Sequence, residues 1–134
     1  GIRGTSVTGV QTCALQIYKD SEGVLTIGSG RNLEKGISKR AASFLFDEDM
    51  VDVYDDCLKF KWYRKLNPAR QAVIENMIFN LGLSRFKGFK KTIRYIELEQ
   101  YEDASEEMLR SRWSNQVGNR AVELAEMMRS GDWL

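Results

Sequence analysis

The feature that most constrains the fold of this chain is a turn, a short strand and a Gly-x-Gly exit within residues 18–30. The turn has the sequence Asp-Ser-Glu-Gly and begins at Asp20; Asp and Ser bond to their own backbone, and Gly supplies a positive φ. The run from Val24 to Ile27 favours a strand. This pattern predicts a hairpin or small sheet that brings Asp20 and Thr26 together, both partly exposed. Such a pair can hold one water molecule, although an ordinary surface hairpin has the same pattern.

Helical periodicity and capping residues dominate the rest of the chain. Ser38 is a suitable N-cap for a helix over residues 39–58. Asn67 followed by Pro68 begins another helix, which Gly82 ends. Apolar residues surround most of this second helix, so we expect it to be a buried central helix. Further helices are expected over residues 90–98, 104–113 and 119–128.

Composition excludes several classes of protein and of site. The 134 residues, 43% of them hydrophobic, are typical of one soluble globular domain. No apolar run approaches the ~20 residues of a membrane span, and no signal-peptide pattern is visible. The chain has no His, so carboxylates must carry out any proton transfer. Cys13 and Cys57 lack metal-ligand spacing, so we expect free buried thiols, no metal and no cofactor.

The charges are unevenly distributed, although the net charge is only +1. Residues 44–57 contain six acids and no basic residue, whereas residues 59–95 contain ten Lys or Arg and one acid, Glu75. Such blocks usually form solvated helix faces. The functional alternative is attraction to an anionic polymer such as the bacterial wall or nucleic acid.

The stretch YKDSEGVLTIGSGRNL resembles the active-site hairpin of phage-type lysozymes, glycoside hydrolase family 24, with the pattern Y-x-D-x-x-G-x-x-T-I-G-x-G-H. Arg31 departs from this pattern, since the family usually has His there. The later strings NMIFNLG, GFKKTI, SRWSNQVGNRA and SGDWL resemble further family motifs in the same order. The resemblance covers residues 17–134. The matching hairpin positions are Tyr18, Asp20, Gly23, Thr26, Ile27, Gly28 and Gly30.

Residues 1–16 do not share this resemblance. They are rich in Gly, Ser and Thr and lack a helical apolar stripe, so we expect a weakly structured segment. Family members begin with an amphipathic helix that carries a Glu-Gly pair, nine residues before the hairpin Asp. Here Gln11 and Thr12 stand at that pair. The run GVQTCAL resembles a translated sequencing adaptor, so we expect a start altered in gene assembly; a divergent natural start is the alternative.

The resemblance implies an α+β, mostly helical lysozyme-like fold. A small β-hairpin lobe would be joined by a long helix to a helical lobe, all within one lysozyme-like domain. The expected parts are an atypical segment at 1–16, the β lobe at 17–37, the connecting helix at 38–58 and the helical lobe at 59–134.

The resemblance also implies an activity. The family hydrolyses the β-1,4 bond between N-acetylmuramic acid and N-acetylglucosamine in peptidoglycan, with inversion. Asp20 and Thr26 match the family residues that position the attacking water. The general acid does not carry over, because Gln11 has no acidic proton to give. Glu22 and Glu34 are poor substitutes, so we expect impaired activity from this chain.

Several residues are expected to contact substrate. Glu22 matches a cleft residue that touches sugar, and Thr92 matches a sugar-contacting hydroxyl. Phe79 matches a cleft aromatic, with plain core packing as its alternative, and Asn80 is a polar residue in the same apolar helix. Asn32 lies where family members contact substrate but differs in residue type.

The expected partner is peptidoglycan, with no nucleic acid and no membrane, and the chain is expected to be monomeric. As an endolysin it would reside in the host cytoplasm before release to the bacterial cell wall. A non-catalytic peptidoglycan-binding module is the first alternative, and its binding would be insensitive to Asp20→Asn. Nucleic-acid binding by residues 59–95 is the second; its affinity would fall linearly with the logarithm of salt concentration.

Overall fold

The computed structural model of the chain describes residues 15–134, so Gln11 and nearly all of the segment expected to be weakly structured lie outside the described residues. Within this range the chain forms a three-stranded antiparallel sheet and seven helices, which confirms the α+β, mostly helical class. The chain divides into two compact units between Leu45 and Phe46. None of the helices in residues 15–134 is long and apolar enough to span a membrane.

The first unit contains the sheet, with β2 in the centre and antiparallel to both neighbours. Thr26 pairs with Tyr18 on one side and with Asn32 on the other. Gly23 has a φ of 80°, as the expected turn requires of its glycine. The strands are β1 (Tyr18–Lys19), β2 (Leu25–Ile27) and β3 (Arg31–Asn32), followed by a 3₁₀ turn at Leu33–Lys35.

Seven helices follow the sheet in the described part of the chain. The first begins in the first unit and contains the division between the units; the others belong to the second unit. They are α1 (Lys39–Cys57), α2 (Pro68–Leu81), α3 (Leu83–Phe86), α4 (Lys90–Glu97), α5 (Tyr101–Leu109), α6 (Arg112–Val117) and α7 (Asn119–Ser130), with a 3₁₀ turn at Tyr63–Lys65 before α2.

The α2 helix has the predicted ends and the predicted burial. The Asn67 side chain accepts a hydrogen bond from the main-chain N–H of Arg70 at 3.0 Å, Pro68 occupies the first turn, and Gly82 follows Leu81 with a φ of 83°. Ser38 likewise caps α1, through a 3.1 Å bond from the N–H of Ala41. The buried residues of α2 are Ala69, Val73, Ile74, Met77, Ile78 and Leu81.

The hydrophobic core of the second unit surrounds α2 and α7. The α7 helix packs against α2, α5 and α6, and α5 also packs against α4. Besides the α2 residues, the core contains Val53, Cys57, Trp62, Tyr63, Leu66, Phe86, Ile96, Ala104, Met108, Trp113, Ala121, Leu124, Ala125, Met127 and Met128.

The single helix expected over residues 104–113 is wrong, because the chain forms two helices there. α5 ends at Leu109 and α6 begins at Arg112. Ser111 produces the break: its hydroxyl donates to the carbonyl of Met108 at 2.6 Å and accepts from the N–H of Ser114 at 3.2 Å. One side chain thus serves the end of one helix and the start of the next.

The end of α7 is held by residues far back in the sequence. Arg70 donates through Nε to the carbonyl of Met128 at 2.7 Å and through Nη2 to the carbonyl of Arg129 at 3.0 Å. The side-chain amide of Asn67 donates to the carbonyl of Gly131 at 2.8 Å. These bonds satisfy carbonyls that the last turn of a helix leaves without a helical partner, and a cation at this end complements the helix dipole.

Replacing Glu99 by Gly should stabilise the protein by about 0.5–1 kcal/mol. Glu99 follows α4 with a φ of 59°, the only positive φ of a non-glycine residue among the described residues. Its N–H bonds to the carbonyl of Ile96 at 2.9 Å, and that of Gln100 bonds to Tyr95 at 2.8 Å, a Schellman ending that favours Gly. A left-handed side chain costs about 1–2 kcal/mol, and the added freedom of unfolded Gly offsets part of the gain.

Chemical denaturation measures this effect. Glu97→Gly is the matched control, because Glu97 is the last residue of α4 and Gly should cost up to ~1 kcal/mol there. Equal destabilisation by both substitutions would contradict the strain at Glu99.

Cys57 should not react with thiol reagents while the protein is folded. The thiol is free and fully buried, as expected. Burial raises its pKa to about 12, and the charges of Glu75 and Asp56 act in the same direction. The reactive thiolate is therefore almost absent at pH 8, where an ordinary cysteine with a pKa near ~8.5 is partly ionised. Cys13 lies outside the described residues, so the labelling rate is measured on Cys13→Ser, in which only Cys57 can react, with and without denaturant. Fast labelling of the folded variant would contradict the burial of Cys57.

Candidate functional site

Asp20 directly follows β1 and its carboxylate is fixed by the turn. Its Oδ1 accepts hydrogen bonds from the main-chain N–H groups of Glu22 at 2.8 Å and Val24 at 2.9 Å. Its own N–H donates to the carbonyl of Val24 at 3.0 Å, and its carbonyl accepts from Gly23 at 3.0 Å. The residue is exposed. The turn therefore orients the carboxylate through Oδ1 and leaves Oδ2 without a hydrogen bond to a described residue.

Thr26 occupies the centre of β2 and is only 2% exposed. The expectation that it would be partly exposed is wrong, because it has a cross-strand neighbour on the same face on each side, Tyr18 and Asn32. Its Oγ1 donates to the carbonyl of Val24 at 2.8 Å. A hydroxyl has one hydrogen to donate, so Thr26 retains only acceptor capacity for a ligand or a water.

The structure brings Asp20 and Thr26 together at Val24. The carboxylate bonds to the N–H of this residue and the hydroxyl bonds to its carbonyl. Tyr18 lies opposite Thr26 in the sheet, so these two side chains share one face. Carboxylate and hydroxyl both present acceptors, which suits a water molecule that donates one hydrogen to each.

Tyr18 has a role that the sequence motif did not reveal. Its hydroxyl donates to the carbonyl of Gly28 at 3.1 Å and so ties β1 to the Gly-x-Gly exit after β2. Gly28 has a φ of 67°, a conformation that L side chains rarely adopt. In the sequence, only the motif match indicated that Tyr18 has a role. The role itself could not be predicted, because the hydroxyl bonds to a residue ten positions further along the chain.

Glu22 and Asn32, two further residues expected to contact substrate, also belong to the first unit. Glu22 is an exposed turn residue, not a strand residue, and its main-chain N–H holds Asp20. Asn32 lies opposite Thr26, and its Oδ1 accepts from the N–H of Glu34 at 2.8 Å, which caps the 3₁₀ turn. Asn32 also lines a depression of about 500 Å³ with Ser29, Gly30, Arg31 and Lys35.

Phe79 and Asn80 lie in the second unit, on the exposed side of α2. Phe79 is 46% exposed, so core packing does not account for it. Its ring meets that of Phe46 edge to face, with centroids 5.6 Å apart and planes at 67°. Asn80 is also exposed, whereas Met77 and Ile78 on the same helix are buried.

Thr92, in the second unit, is 2% exposed and lines a pocket of about 480 Å³. The family resemblance assigns Thr92 to substrate contact but does not indicate the cations around it. Two of them, Arg110 and Arg112, come from outside the basic block of residues 59–95. The remaining lining residues are Leu81, Arg85, Gly88, Phe89, Lys90, Lys91, Glu107, Ser111 and Trp113.

The side chains of residues 15–134 contain no group of three or more His, Cys, Asp or Glu residues that could hold a metal ion.

The sequence is similar to proteins of one family. Residues 8–129 match the family described as phage lysozyme, so the match begins upstream of Ile17 and includes position 11. The chain is 25% identical to probable T4-type lysozyme 1 and 24% identical to probable T4-type lysozyme 2, both of Dictyostelium discoideum, over 87% of this chain and 87% of each relative. It is also 24% identical to the pre-baseplate central spike protein Gp5 of Enterobacteria phage T4, over 88% of this chain and 26% of that protein.

Proposed function

Because this chain belongs to the phage lysozyme family and is thereby a lysozyme-type glycosidase, we propose that it is built to cleave peptidoglycan by inversion. The bond would be the β-1,4 link between N-acetylmuramic acid and N-acetylglucosamine. The observation that carries this proposal is the anchoring of Asp20 and Thr26 on the same residue, Val24.

The attacking water lies between these two side chains. It donates one hydrogen to Oδ2 of Asp20 and the other to Oγ1 of Thr26, whose own hydrogen is committed to Val24. A lone pair of the water then remains for the anomeric carbon. As the bond to carbon forms, Asp20 takes the proton of the water and acts as the general base. Thr26 only orients the water and takes no proton from it.

The leaving oxygen of the glycoside needs a proton from a general acid on the other face of the sugar. The family Glu is replaced by Gln11, and an amide cannot supply that proton. A general acid is worth about 10²–10⁴-fold in rate, so we propose that this chain turns over slowly or not at all.

The remaining assigned residues bind the glycan. Phe79 presents an exposed ring that can pack on a sugar face, and Asn80 beside it presents an exposed amide. Asn32 uses its carbonyl oxygen to cap a turn and keeps its NH₂ group for a ligand. We assign Glu22 and Thr92 to substrate contact as well. The chain would act as a monomer on the bacterial wall, after residence in the host cytoplasm.

A non-catalytic peptidoglycan-binding module is the second candidate, and Gln11 is the observation that favours it. Such a module needs the glycan contacts but not the water held by Asp20. Its affinity for insoluble peptidoglycan would therefore be the same in the chain and in Asp20→Asn.

The test uses a chimera in which residues 1–16 are replaced by a family-like amphipathic helix with a Glu-Gly pair at positions 11 and 12. Purified peptidoglycan is digested, and new reducing ends are identified and followed by NMR before the anomers equilibrate. We expect N-acetylmuramic acid ends that appear first as the α-anomer. A β-anomer would contradict inversion, ends at N-acetylglucosamine would contradict the assigned bond, and binding without new ends would favour the module.

A further inference from the structure

The pocket that Thr92 lines in the second unit has a strongly positive lining. Its lining contains one acid, Glu107, and five cations, a formal charge of +4. Glu107 is already paired, since its Oε1 lies 2.9 Å from Nη1 of Arg110. The other four make no ion pair with any residue in the range 15–134. The five cations are Arg85, Lys90, Lys91, Arg110 and Arg112.

One residue that lines the pocket, Trp113, contains an unsatisfied hydrogen-bond donor. Trp113 lines the pocket and is 3% exposed, and its indole Nε1 is buried without an acceptor. It is the only buried side-chain nitrogen or oxygen in the described residues that lacks a partner. A buried donor left unpaired is unfavourable, so this indole N–H is a suitable reporter of changes in the pocket wall.

We propose that this pocket binds phosphate groups of an anionic polyol-phosphate polymer of the bacterial surface. Phosphate oxygens can bridge several cations at once, and the planar guanidinium groups of Arg85 and Arg112 can each form paired bonds to them. The pocket volume of about 480 Å³ exceeds that of a single phosphate ion. The cations also come from separate parts of the chain, α3, the start of α4 and the α5–α6 region, which suits successive phosphates of a polymer.

Nucleic acid is also a phosphodiester polymer, but the pocket lacks what unpaired bases need. Single strands bind by stacking bases on exposed aromatic rings. The two aromatic residues that line this pocket, Phe89 and Trp113, meet edge to face at 6.3 Å, and Trp113 is buried. The inference rests on the proposed function only in taking the bacterial surface as the source of the ligand, since phosphate binding needs neither Asp20 nor turnover.

The experiment follows the indole N–H resonance of Trp113 by NMR, assigned with Trp113→Phe, in the full chain. The probes are inorganic phosphate, poly(glycerol phosphate), sodium acetate and a single-stranded DNA oligonucleotide, each against sodium chloride of equal ionic strength. We expect saturable shifts with both phosphate probes, and at least about tenfold tighter binding of the polymer per phosphate, since linked groups bind with a high effective concentration. Trp62 and Trp133, which do not line this pocket, report non-specific effects.

Matched variants locate the site. Lys90→Ala and Arg112→Ala should each weaken polymer binding about tenfold, the loss of one charge-assisted contact. Lys87→Ala should leave it unchanged, because Lys87 is exposed and close in sequence but does not line the pocket. Equal losses in Lys87→Ala and Lys90→Ala, or shifts no larger than those in chloride, would overturn the proposal.

The remaining outcomes exclude other ligands. Acetate binding as tight as phosphate would overturn the assignment to phosphate, and DNA binding tighter than that of the polyol phosphate would overturn the choice of polymer. Equal affinity for free phosphate and for the polymer would overturn the polymeric ligand. Glycoside cleavage by the chimera is measured separately, so either proposal can fail while the other stands.

Discussion

The chimera that carries a Glu-Gly pair at positions 11 and 12 should clear purified peptidoglycan about 10²–10⁴ times faster than the chain with Gln11. The expected gain is that of a general acid restored opposite the proposed water-holding pair, Asp20 and Thr26, whose side chains both bond to Val24. Clearing is measured as loss of turbidity at equal folded concentration. Equal rates for the two proteins would mean that the missing acid is not limiting, and Glu22 or Glu34 would become the donor to test.

Substitutions within the chimera separate the catalytic roles. Asp20→Ala should abolish the gain, and Thr26→Val should reduce it strongly, because Val keeps the β-branched shape and removes the acceptor for the water. Asp55→Ala is the control, since Asp55 is an exposed carboxylate on α1 that has no role in the proposed site. Gln11→Glu alone should gain little, because its neighbours lack the amphipathic pattern that would form a helix. A chimera that folds but stays inert would contradict the assignment of Asp20 and Thr26.

Met77→Ala should destabilise the protein by about 2–5 kcal/mol. Met77 is fully buried in the middle of α2, so the substitution loses transfer free energy and leaves a cavity. Val73→Ala on the same helix should cost less, because fewer buried atoms are removed. Urea denaturation gives the free energy of unfolding for each variant.

Asn80→Ala is the control on the same helix. Its side chain is exposed, so its effect should stay within about 0.5 kcal/mol. A cost below about 1 kcal/mol for Met77→Ala would place α2 at the edge of the core and contradict its central position.

The parts of the fold that depend on neighbouring residues could be predicted from the sequence. Both ends of α2 follow from Asn67, Pro68 and Gly82, which act within one turn of the helix. The turn at Asp20 and the strand that contains Thr26 depend on residues only a few positions apart. Interactions between nearby residues determine these features, so the sequence alone is enough to predict them.

Features that depend on distant or competing contacts could not be predicted in this way. Apolar periodicity continues across Ser111, and only the bonds of its hydroxyl show that one helix ends and another begins there. The burial of Thr26 results from two flanking strands, and the exposure of Phe79 depends on which side of α2 the core occupies. The charged pocket requires Arg112 beside Lys90, residues far apart in the sequence. Periodicity identifies an apolar side but does not show what packs against it.

The bonds from Arg70 to the end of α7 also affect when the second unit can fold during synthesis. The guanidinium joins carbonyls 58 and 59 residues further along the chain. A nascent chain that has completed α2 therefore has an unpaired cation and exposes the apolar surface that α7 later covers. Contacts between such distant residues form slowly, because the intervening loop must first close. This unit should consequently become protease-resistant in a single late step, only after residue 131 has left the ribosome.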